Sequence, residues 1–261
     1  MTDSPSSKAL SQQQFGSHAE NYVKSTGHAK GAELDLFLEW ASPQPDWHML
    51  DVATGGGHVA LKFAPHIEHI IASDLTPAML EKASEFIQSQ GIQHIQFRQA
   101  DAEKLPFEDG QFDLVTCRIA PHHFEDAFRF MLEVARVLKP NGIFLLQDHV
   151  LPEDDKAARY IDSFERLRDP SHHRAYAEYE WRGMFLDAGL MVEATTLINR
   201  EASLVTWAER MGCDADVIQR LQILLYQVPE AAKEWIKPRA VGTPDATFLH
   251  QYIILKGRKP A

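Results

Sequence analysis

The sequence predicts an α/β protein with a doubly wound, largely parallel sheet, and three observations support this prediction. Short apolar runs typical of strands alternate with segments of helical periodicity between residues 48 and 147. The strand runs are almost continuously apolar, and turns that contain Gly or Pro separate them from the helices. Because the strands of a parallel sheet are buried on both faces, this repetition indicates a sheet covered by helices on both sides.

The first elements are read from polarity, spacing and capping residues. Residues 1 to 14 are polar and rich in Ser and Gln, and they are expected to form a disordered tail. Apolar residues recur at helical spacing between His18 and Trp40, so one or two helices are expected there, ended by the prolines that follow. A later helix has an expected N-cap at Thr76 and a proline, Pro77, at its first position, where a missing N–H costs nothing.

Seven strands are predicted, and the helices between them follow from the spacing of apolar residues. The predicted strands span His48 to Val52, Ile67 to Ser73, His94 to Arg98, Phe112 to Cys117, Ile143 to Gln147, Leu190 to Leu197 and Thr247 to Lys256. The predicted helices include His58 to Ala64, a segment with an apolar face from Phe124 to Leu138, Asp154 to Arg168, and three pieces between residues 202 and 238.

Composition and charge exclude several classes of function. The 261 residues include 26 Lys plus Arg against 37 Asp plus Glu, a net charge of −11 without a basic stripe, so no nucleic-acid partner is expected. No apolar run approaches the roughly 18 to 20 residues of a membrane span, and no secretory signal is expected. The two cysteines, Cys117 and Cys213, are far apart in sequence, so no disulfide framework is expected and a reducing cytoplasm fits. They match no metal-ligand spacing either, so no thiolate metal site is expected, and no metal ligands are assigned.

A glycine-rich loop follows the first predicted strand. Asp51 lies at the end of that strand, and Gly55 and Gly57 precede a helix, at the edge where open parallel sheets bind ligands. Asp74 ends the second strand, where a carboxylate can accept two hydrogen bonds from a ribose diol; its alternative role is to cap the next helix. A triple glycine alone also fits a tight turn, but the combination predicts a nucleoside-containing ligand.

Two such ligands fit this loop. The G-x-G-x-x-A spacing that begins at Gly55 matches the dinucleotide pattern, with an acidic residue about 20 positions further on. S-adenosylmethionine fits better, because Asp51 would face its cationic amino group but would repel a pyrophosphate. Asp101 follows the third strand, where a carboxylate can accept from an adenine amine and the N–H of Ala102 can donate to the ring. No later helix carries a hydride-transfer constellation.

Five segments resemble the successive motifs of class I S-adenosylmethionine-dependent methyltransferases, in the small-molecule branch similar to ubiquinone/menaquinone C-methyltransferases. The segments are Leu50 to Ala60, Ser73 to Leu80, Ala100 to Phe107, Phe112 to Val115 and Leu138 to Gly142. The resemblance covers about residues 15 to 150, and it is specific for fold and cofactor rather than for the methyl acceptor. Ala53 stands where the family places the first glycine of its loop, and ordinary extended backbone is expected there.

The resemblance implies a seven-stranded Rossmann-like sheet with an antiparallel last strand and a helical insertion near the C terminus. It implies one methyltransferase domain over residues 15 to 261, with a cofactor-binding core at 45 to 150 and acceptor-side helices and insertion at 151 to 245. An N-terminal segment with Phe15, Tyr22 and His28 resembles the part of the family that folds over the cofactor. The expected S-adenosylmethionine site consists of Tyr22, Asp51, Ala53, Gly55, Gly57, Asp74, Leu75, Met79, Asp101, Ala102 and Arg118.

Two histidines after the fourth strand, His122 and His123, are candidate general bases, because a neutral imidazole accepts a proton near pH 7. Asp148, after the fifth strand, is the third catalytic candidate, to hold an acceptor hydroxyl or to orient a histidine. Packing, capping and loop hydrogen bonds are the alternative roles of these side chains. As neighbours on one loop the histidines make a poor pair of metal ligands, and a divalent cation near Asp148 is a further alternative.

The sequence thus predicts a cytoplasmic enzyme, a monomer or homodimer, that transfers a methyl group from S-adenosylmethionine to a small organic acceptor by in-line displacement. Two alternatives stay open: an NAD(P)-dependent oxidoreductase that uses the same glycine loop, and an S-adenosylmethionine-binding module without chemistry. The identity of the acceptor, and whether carbon, oxygen or nitrogen is methylated, does not follow from the sequence.

Overall fold

A computed structural model describes residues 7–23 and 32–261, with side chains described for residues 8–16 and 32–261. The strands are β1 (His48–Val52), β2 (His69–Asp74), β3 (Ile95–Gln99), β4 (Phe112–Arg118), β5 (Leu138–Leu151), β6 (Tyr176–Ala177), β7 (Met191–Ser203) and β8 (Thr247–Arg258). The helices are α1 (Ser7–Val23), α2 (Ala32–Ala41), α3 (His58–Phe63), α4 (Pro77–Ser89), α5 (Ala127–Val137), α6 (Asp155–Arg168), α7 (Glu178–Asp187), α8 (Leu204–Glu209), α9 (Ala215–Tyr226) and α10 (Glu230–Ile236).

The sheet has the order β3-β2-β1-β4-β5-β8-β7, and the two-residue β6 pairs with β5 beside this path. β1 to β5 pair in parallel, whereas β8 runs antiparallel between β5 and β7. These pairings confirm the doubly wound α/β sheet of seven main strands with an antiparallel last strand. Because β1 to β4 are parallel, the loops that follow them meet at one edge of the sheet.

Both faces of the sheet are covered by apolar side chains. Met49 and Leu50 are adjacent in β1 and fully buried, yet Met49 packs with Phe37 and Phe63 whereas Leu50 packs in a separate cluster with Phe130. Successive side chains of a strand point to opposite faces, so a strand between two helical layers needs apolar residues at every position. This requirement explains the continuous apolar runs that predicted the strands.

A third apolar cluster lies in the C-terminal part of the chain. Phe164 of α6, Trp207 of α8 and Phe248 of β8 pack together with ring centroids 5.0–5.3 Å apart, the first two stacked and the third edge-on to both. β7 continues to Ser203, beyond the predicted end at Leu197, because it pairs with β8 along its whole length. The last two long strands therefore carry this cluster at the end of the sheet.

The first helix differs from the sequence prediction of a tail. Residues 7 to 14 form the first two turns of α1. Nζ of Lys8 lies 2.7 Å from Oδ2 of Asp101, and Nε2 of Gln12 donates to the carbonyl of Leu75 at 3.1 Å. Asp101 lies 93 positions from Lys8 in the sequence, and Leu75 lies 63 positions from Gln12, so the composition of residues 1 to 14 could not indicate these contacts. Tertiary contacts thus stabilise a helix that composition did not predict.

Two expectations about the N-terminal region fall partly or wholly outside the described residues. The backbone of Tyr22 belongs to α1, but its side chain is not among those described, and neither is residue 28.

Between residues 7 and 261, apart from the gap at 24–31, no helix is both long enough and apolar enough to cross a bilayer.

Candidate active site

A cavity of about 130 Å³ lies at the carboxyl ends of β1, β2 and β4. Its walls come from the loops that follow β1 to β4 and from α1. Ten of the predicted site residues line it: Asp51, Ala53, Gly55, Asp74, Leu75, Met79, Asp101, Ala102, Arg118 and His123. Gly57, His122 and Asp148 do not line it, and the side chain of Tyr22 lies outside the described part of the chain.

Asp51 is a buried carboxylate that lines the cavity. Its Oδ2 accepts from the Thr54 hydroxyl at 2.6 Å, and its Oδ1 accepts from the Thr116 hydroxyl at 2.7 Å. Burial raises the pKa of Asp51 to about 6, although the two hydroxyls and the nearby Arg118 guanidinium favour the charged form. Burial likewise lowers the pKa of Arg118, to about 10. A fixed carboxylate of this kind attracts a cation into the cavity.

Asp74 holds the glycine loop and also faces the cavity. Its Oδ2 accepts from the backbone N–H of Gly55 at 3.0 Å, and its Oδ1 accepts from the N–H of Thr76 at 2.9 Å. Thr76 is the N-cap residue of α4, and its side chain makes no capping hydrogen bond. Burial raises the pKa of Asp74, against these hydrogen bonds. Asp74 therefore does not cap α4 but fixes the glycine loop to the residue that precedes it, at the position predicted for a ribose-binding carboxylate.

Asp101 is engaged by the first helix. Its Oδ2 lies 2.7 Å from Nζ of Lys8, and its Oδ1 accepts from the backbone N–H of Glu103 at 3.0 Å. The same ammonium group lies 3.1 Å from Oε2 of Glu103. The carboxylate that was predicted to accept from an adenine amine thus already has a cationic partner from α1.

Two positions of the glycine loop differ from expectation. Ala53 has a φ of +52°, so it adopts the left-handed conformation and not the extended one predicted for it. The turn after β1 requires this conformation, and alanine adopts it at a cost that glycine would not have. Gly57 has a φ of +78°, and a Cβ there would lie 2.7 Å from Cδ1 of Ile87. Its role is close packing of the loop on α4 rather than contact with the cavity.

His123 is the histidine of the pair that faces the cavity. Its Nδ1 lies 3.1 Å from the carbonyl oxygen of Ser171, and its ring meets that of Phe15 edge-on with centroids 4.8 Å apart. Burial lowers the pKa of His123, while the Asp169 carboxylate, with Oδ2 4.0 Å from Nε2, opposes that shift. The arrangement presents a neutral imidazole with its Nε2 opposite a carboxylate.

His122 and Asp148 form a buried pair behind His123. Nδ1 of His122 lies 2.6 Å from Oδ1 of Asp148, and the backbone N–H of His122 donates to Oδ2 at 2.9 Å. Burial lowers the pKa of His122 well below its usual value and raises that of Asp148 well above it. The ring of His122 stacks on that of His149 at 4.2 Å. These contacts fix the loop after β4 to the end of β5 and leave His123 as the member exposed to the cavity.

Several residues at the cavity were missed by sequence reasoning. Lys8 and Ser11 come from α1, and Gly56, His58 and Thr76 come from segments already singled out. Phe15, which also comes from α1, lies in the N-terminal segment that was expected to cover the cofactor. Among the described residues, two groups of three side chains have donor atoms close enough to share a metal ion. The first group is His122, His149 and His172. The second is His149, Glu165 and His250.

Comparison with known proteins agrees with this geometry. The profile of the family described as a methyltransferase domain matches residues 50–146. The uncharacterized methyltransferase YcgJ of Bacillus subtilis is 37% identical over 247 residues, which are 94% of this chain and 97% of that protein. The crystal structure of B. subtilis YcgJ superimposes with a TM-score of 0.85 at 35% identity, covering 88% of this chain and 99% of that chain.

Other known proteins match a part of the chain or share only its fold. The ubiquinone/menaquinone biosynthesis C-methyltransferase UbiE of Ectopseudomonas mendocina is 35% identical over 134 residues, 49% of this chain and 51% of that protein. The geranyl diphosphate C-methyltransferase of Streptomyces coelicolor, solved with S-adenosyl-L-homocysteine, is 14% identical with a TM-score of 0.61 and covers 87% of this chain and 78% of that chain. Together with the strand order and the motifs along the cavity, the full-length match to YcgJ shows that this chain is an enzyme of the class I S-adenosylmethionine-dependent methyltransferases, similar to UbiE.

Proposed function

We propose that the cavity binds S-adenosylmethionine with its sulfur near His123 and that the methyl group passes by in-line displacement to a small organic acceptor. The observation that supports this most is the continuity of the cavity, which runs from the glycine loop and three carboxylates to the ring of His123. A ligand with a nucleoside at one end and a reacting centre at the other needs one continuous cavity that serves both. Membership of the methyltransferase family decides against the oxidoreductase alternative.

Three carboxylates each bind a different part of the cofactor. Asp51 faces the ammonium group of the methionine moiety, Asp74 accepts from the ribose hydroxyls, and Asp101 accepts from the adenine amine. Each carboxylate oxygen has two lone pairs, so the internal hydrogen bonds of these residues leave acceptor capacity for the ligand. Leu75 and Met79 line the cavity and supply apolar contact.

S-adenosylmethionine supplies a sulfonium methyl group that a nucleophile takes in one displacement. The protein's own part is to hold the acceptor in line, exclude water and accept a proton, and positioning alone can contribute up to roughly 7–11 kcal/mol. His123 serves as the base, because burial favours its neutral form and the contact of Nδ1 with the Ser171 carbonyl leaves Nε2 for the acceptor's proton. Asp169 then stabilises the imidazolium.

Calorimetric titration tests the cofactor site. S-adenosylmethionine and its demethylated product should bind, and Asp74→Ala should weaken both at least about tenfold, since a hydrogen bond to a charged group contributes about 1.5–3 kcal/mol. Asp46→Ala, at an exposed carboxylate, is the matched control. Binding of NADH in place of S-adenosylmethionine would contradict the proposal.

The transfer step needs a separate measurement. Release of S-adenosylhomocysteine is followed while a library of small carbon, oxygen and nitrogen nucleophiles is supplied. Turnover with a small acceptor supports the proposal. Binding of S-adenosylmethionine without turnover on any acceptor would indicate instead a binding module without chemistry.

A further inference from the structure

Behind the cofactor cavity, three ionisable side chains from three elements meet in the interior. His149 belongs to β5, Glu165 to α6 and His250 to β8, and their exposed fractions are 7%, 4% and 8%. One donor atom of each lies within 4.8 Å of those of the other two. Buried ionisable groups are normally paired or bind a metal, so such a group requires an explanation.

One ring nitrogen of this group lacks the hydrogen bond that buried polar atoms normally make. Nδ1 of His149 has no partner among the residues that the structure describes. Nε2 of His250 lies 2.9 Å from Oε1 of Glu165, so these two side chains form a buried ion pair beside it. Since an unpaired buried nitrogen is unfavourable, a ligand that takes up its lone pair would stabilise the site.

The spacing of nitrogen and carboxylate fits a shared ion. Two ligand atoms of a tetrahedral ion, each about 2.0–2.1 Å from it, lie roughly 3.3 Å apart and point at the ion instead of at each other. Nε2 of His250 and Oε1 of Glu165 lie 2.9 Å apart, so a shift of a few tenths of an ångström would let both bind one ion. A cavity of about 10 Å³ adjoins all three side chains, about the space that a single water molecule or ion needs.

The surroundings hold the group in place. The Tyr252 hydroxyl lies 3.1 Å from Nδ1 of His250, which leaves Nε2 directed to the other side of the ring. Contacts of this kind orient the histidine ligands of metal ions in proteins. Leu151, Phe164 and Phe248 line the same small cavity, so the environment of the three side chains is largely apolar.

We propose that His149, Glu165 and His250 bind one divalent first-row transition-metal ion. Two imidazoles and one carboxylate form a donor set suited to tetrahedral Zn²⁺, whereas Mg²⁺ and Ca²⁺ prefer oxygen donors. The ion ties β5, α6 and β8 together and leaves a coordination position for water. It lies next to His122, whose ring stacks on that of His149.

A second group shares His149 but suits an ion less well. The rings of His122 and His149 stack within 9° of parallel, so their in-plane lone pairs do not converge on one point. Nδ1 of His122 is held by Asp148 at 2.6 Å, and Nε2 of His172 is held by Asp162 at 2.7 Å. We therefore assign the ion to the group that contains the glutamate.

The test uses tag-free protein, freed of metal by a chelator and titrated with Zn²⁺, Co²⁺ or Mg²⁺ in a calorimeter. We expect one equivalent of Zn²⁺ to bind with a Kd below about 1 μM and Mg²⁺ not to bind. His250→Ala and Glu165→Gln should each weaken Zn²⁺ binding at least about 100-fold. His66→Ala, at an exposed histidine, should leave it unchanged.

Absence of Zn²⁺ binding by the wild-type protein would overturn the proposal. Loss of binding in His172→Ala with retention in Glu165→Gln would also overturn it, since the ion would then belong to the second group. Co²⁺ adds a readout on the wild-type protein that does not depend on whether the variants fold. A strong visible absorption band, typical of tetrahedral ligation, supports the assignment, and the weak band of octahedral Co²⁺ refutes it.

Discussion

Asp51 is expected to set a lower pH limit on cofactor binding. Burial raises the pKa of this carboxyl to about 6, and only the ionised form attracts the ammonium group of S-adenosylmethionine. Binding therefore releases a proton below this pH, and Kd rises by the factor 1 + 10^(6 − pH). The factor is about 10 at pH 5 and close to 1 at pH 7.5.

Calorimetry at pH 5.0, 6.0 and 7.5 measures this dependence, with Asp51→Asn as the comparison. The asparagine variant should bind weakly at every pH, and the dependence that Asp51 causes should disappear from it. Equal slopes in the two proteins would show that another group titrates. A wild-type Kd that stays constant from pH 5.0 to 7.5 would refute the reasoning about the buried carboxylate.

The same carboxyl affects stability in the opposite direction. Its pKa is about 6 in the folded protein, above the ordinary value of 3.8 for an aspartic acid, so the folded state binds the proton more tightly than the unfolded chain does. Its contribution to stability falls as pH rises from about 3.8 to about 6 and is constant above that, a difference of about 3 kcal/mol. Asp51→Asn should thus raise the free energy of unfolding at pH 7.5 by up to this amount, as measured by urea denaturation without cofactor. A decrease would contradict the expectation.

Three further substitutions test other parts of the site. Lys8→Met removes the ammonium group from Asp101 and should tighten S-adenosylmethionine binding up to about fivefold, because a partly exposed ion pair contributes about 0–1 kcal/mol; weaker binding in calorimetry would show that Lys8 assists the cofactor. Ala53→Gly removes left-handed strain of about 1–2 kcal/mol but costs about 0.5–1 kcal/mol in the conformational entropy lost on folding, so thermal denaturation should show a stability equal to wild type or up to about 1.5 kcal/mol higher, and a clear loss would contradict the backbone argument. His123→Gln should lower kcat about 10²- to 10⁴-fold for a protonated acceptor and leave the Kd of S-adenosylmethionine nearly unchanged; unchanged turnover would exclude a base at this position.

The parts of the fold that sequence reasoning recovers are those determined by local pattern. β1 spans His48–Val52 as predicted, and α6 begins within one residue of the predicted start at Asp154. Burial on both faces imposes the apolar run of the strand, and a helix start is marked by the capping side chain of Asp154, which accepts from two backbone N–H groups. α1 was not recognised, because its stabilising partners, such as Asp101, are distant in the sequence.

The candidate site, like the fold, was predicted only where a local sequence pattern marks its residues. Asp51, Asp74 and Asp101 were identified because each lies at or just after the carboxyl end of a strand of a parallel sheet, and chain order then places them at one edge. The cluster of His149, Glu165 and His250 has no sequence signal, because its members lie on a parallel strand, a helix and an antiparallel strand without regular spacing. The conformation of Ala53 was also missed, since the turn determines φ there and residue preference does not.

The antiparallel β8 has a consequence for how the chain matures during synthesis. It is synthesised after β1 to β7, yet it lies between β5 and β7 and is the strand that joins β7 to the sheet. While residues 247–258 are still inside the ribosome, β7 has no neighbouring strand to pair with, and the edge of β5 carries unpaired N–H and C=O groups. The sheet is therefore completed only after residues 247–258 have left the ribosome, and loss of β8 would remove two strands from the sheet instead of one.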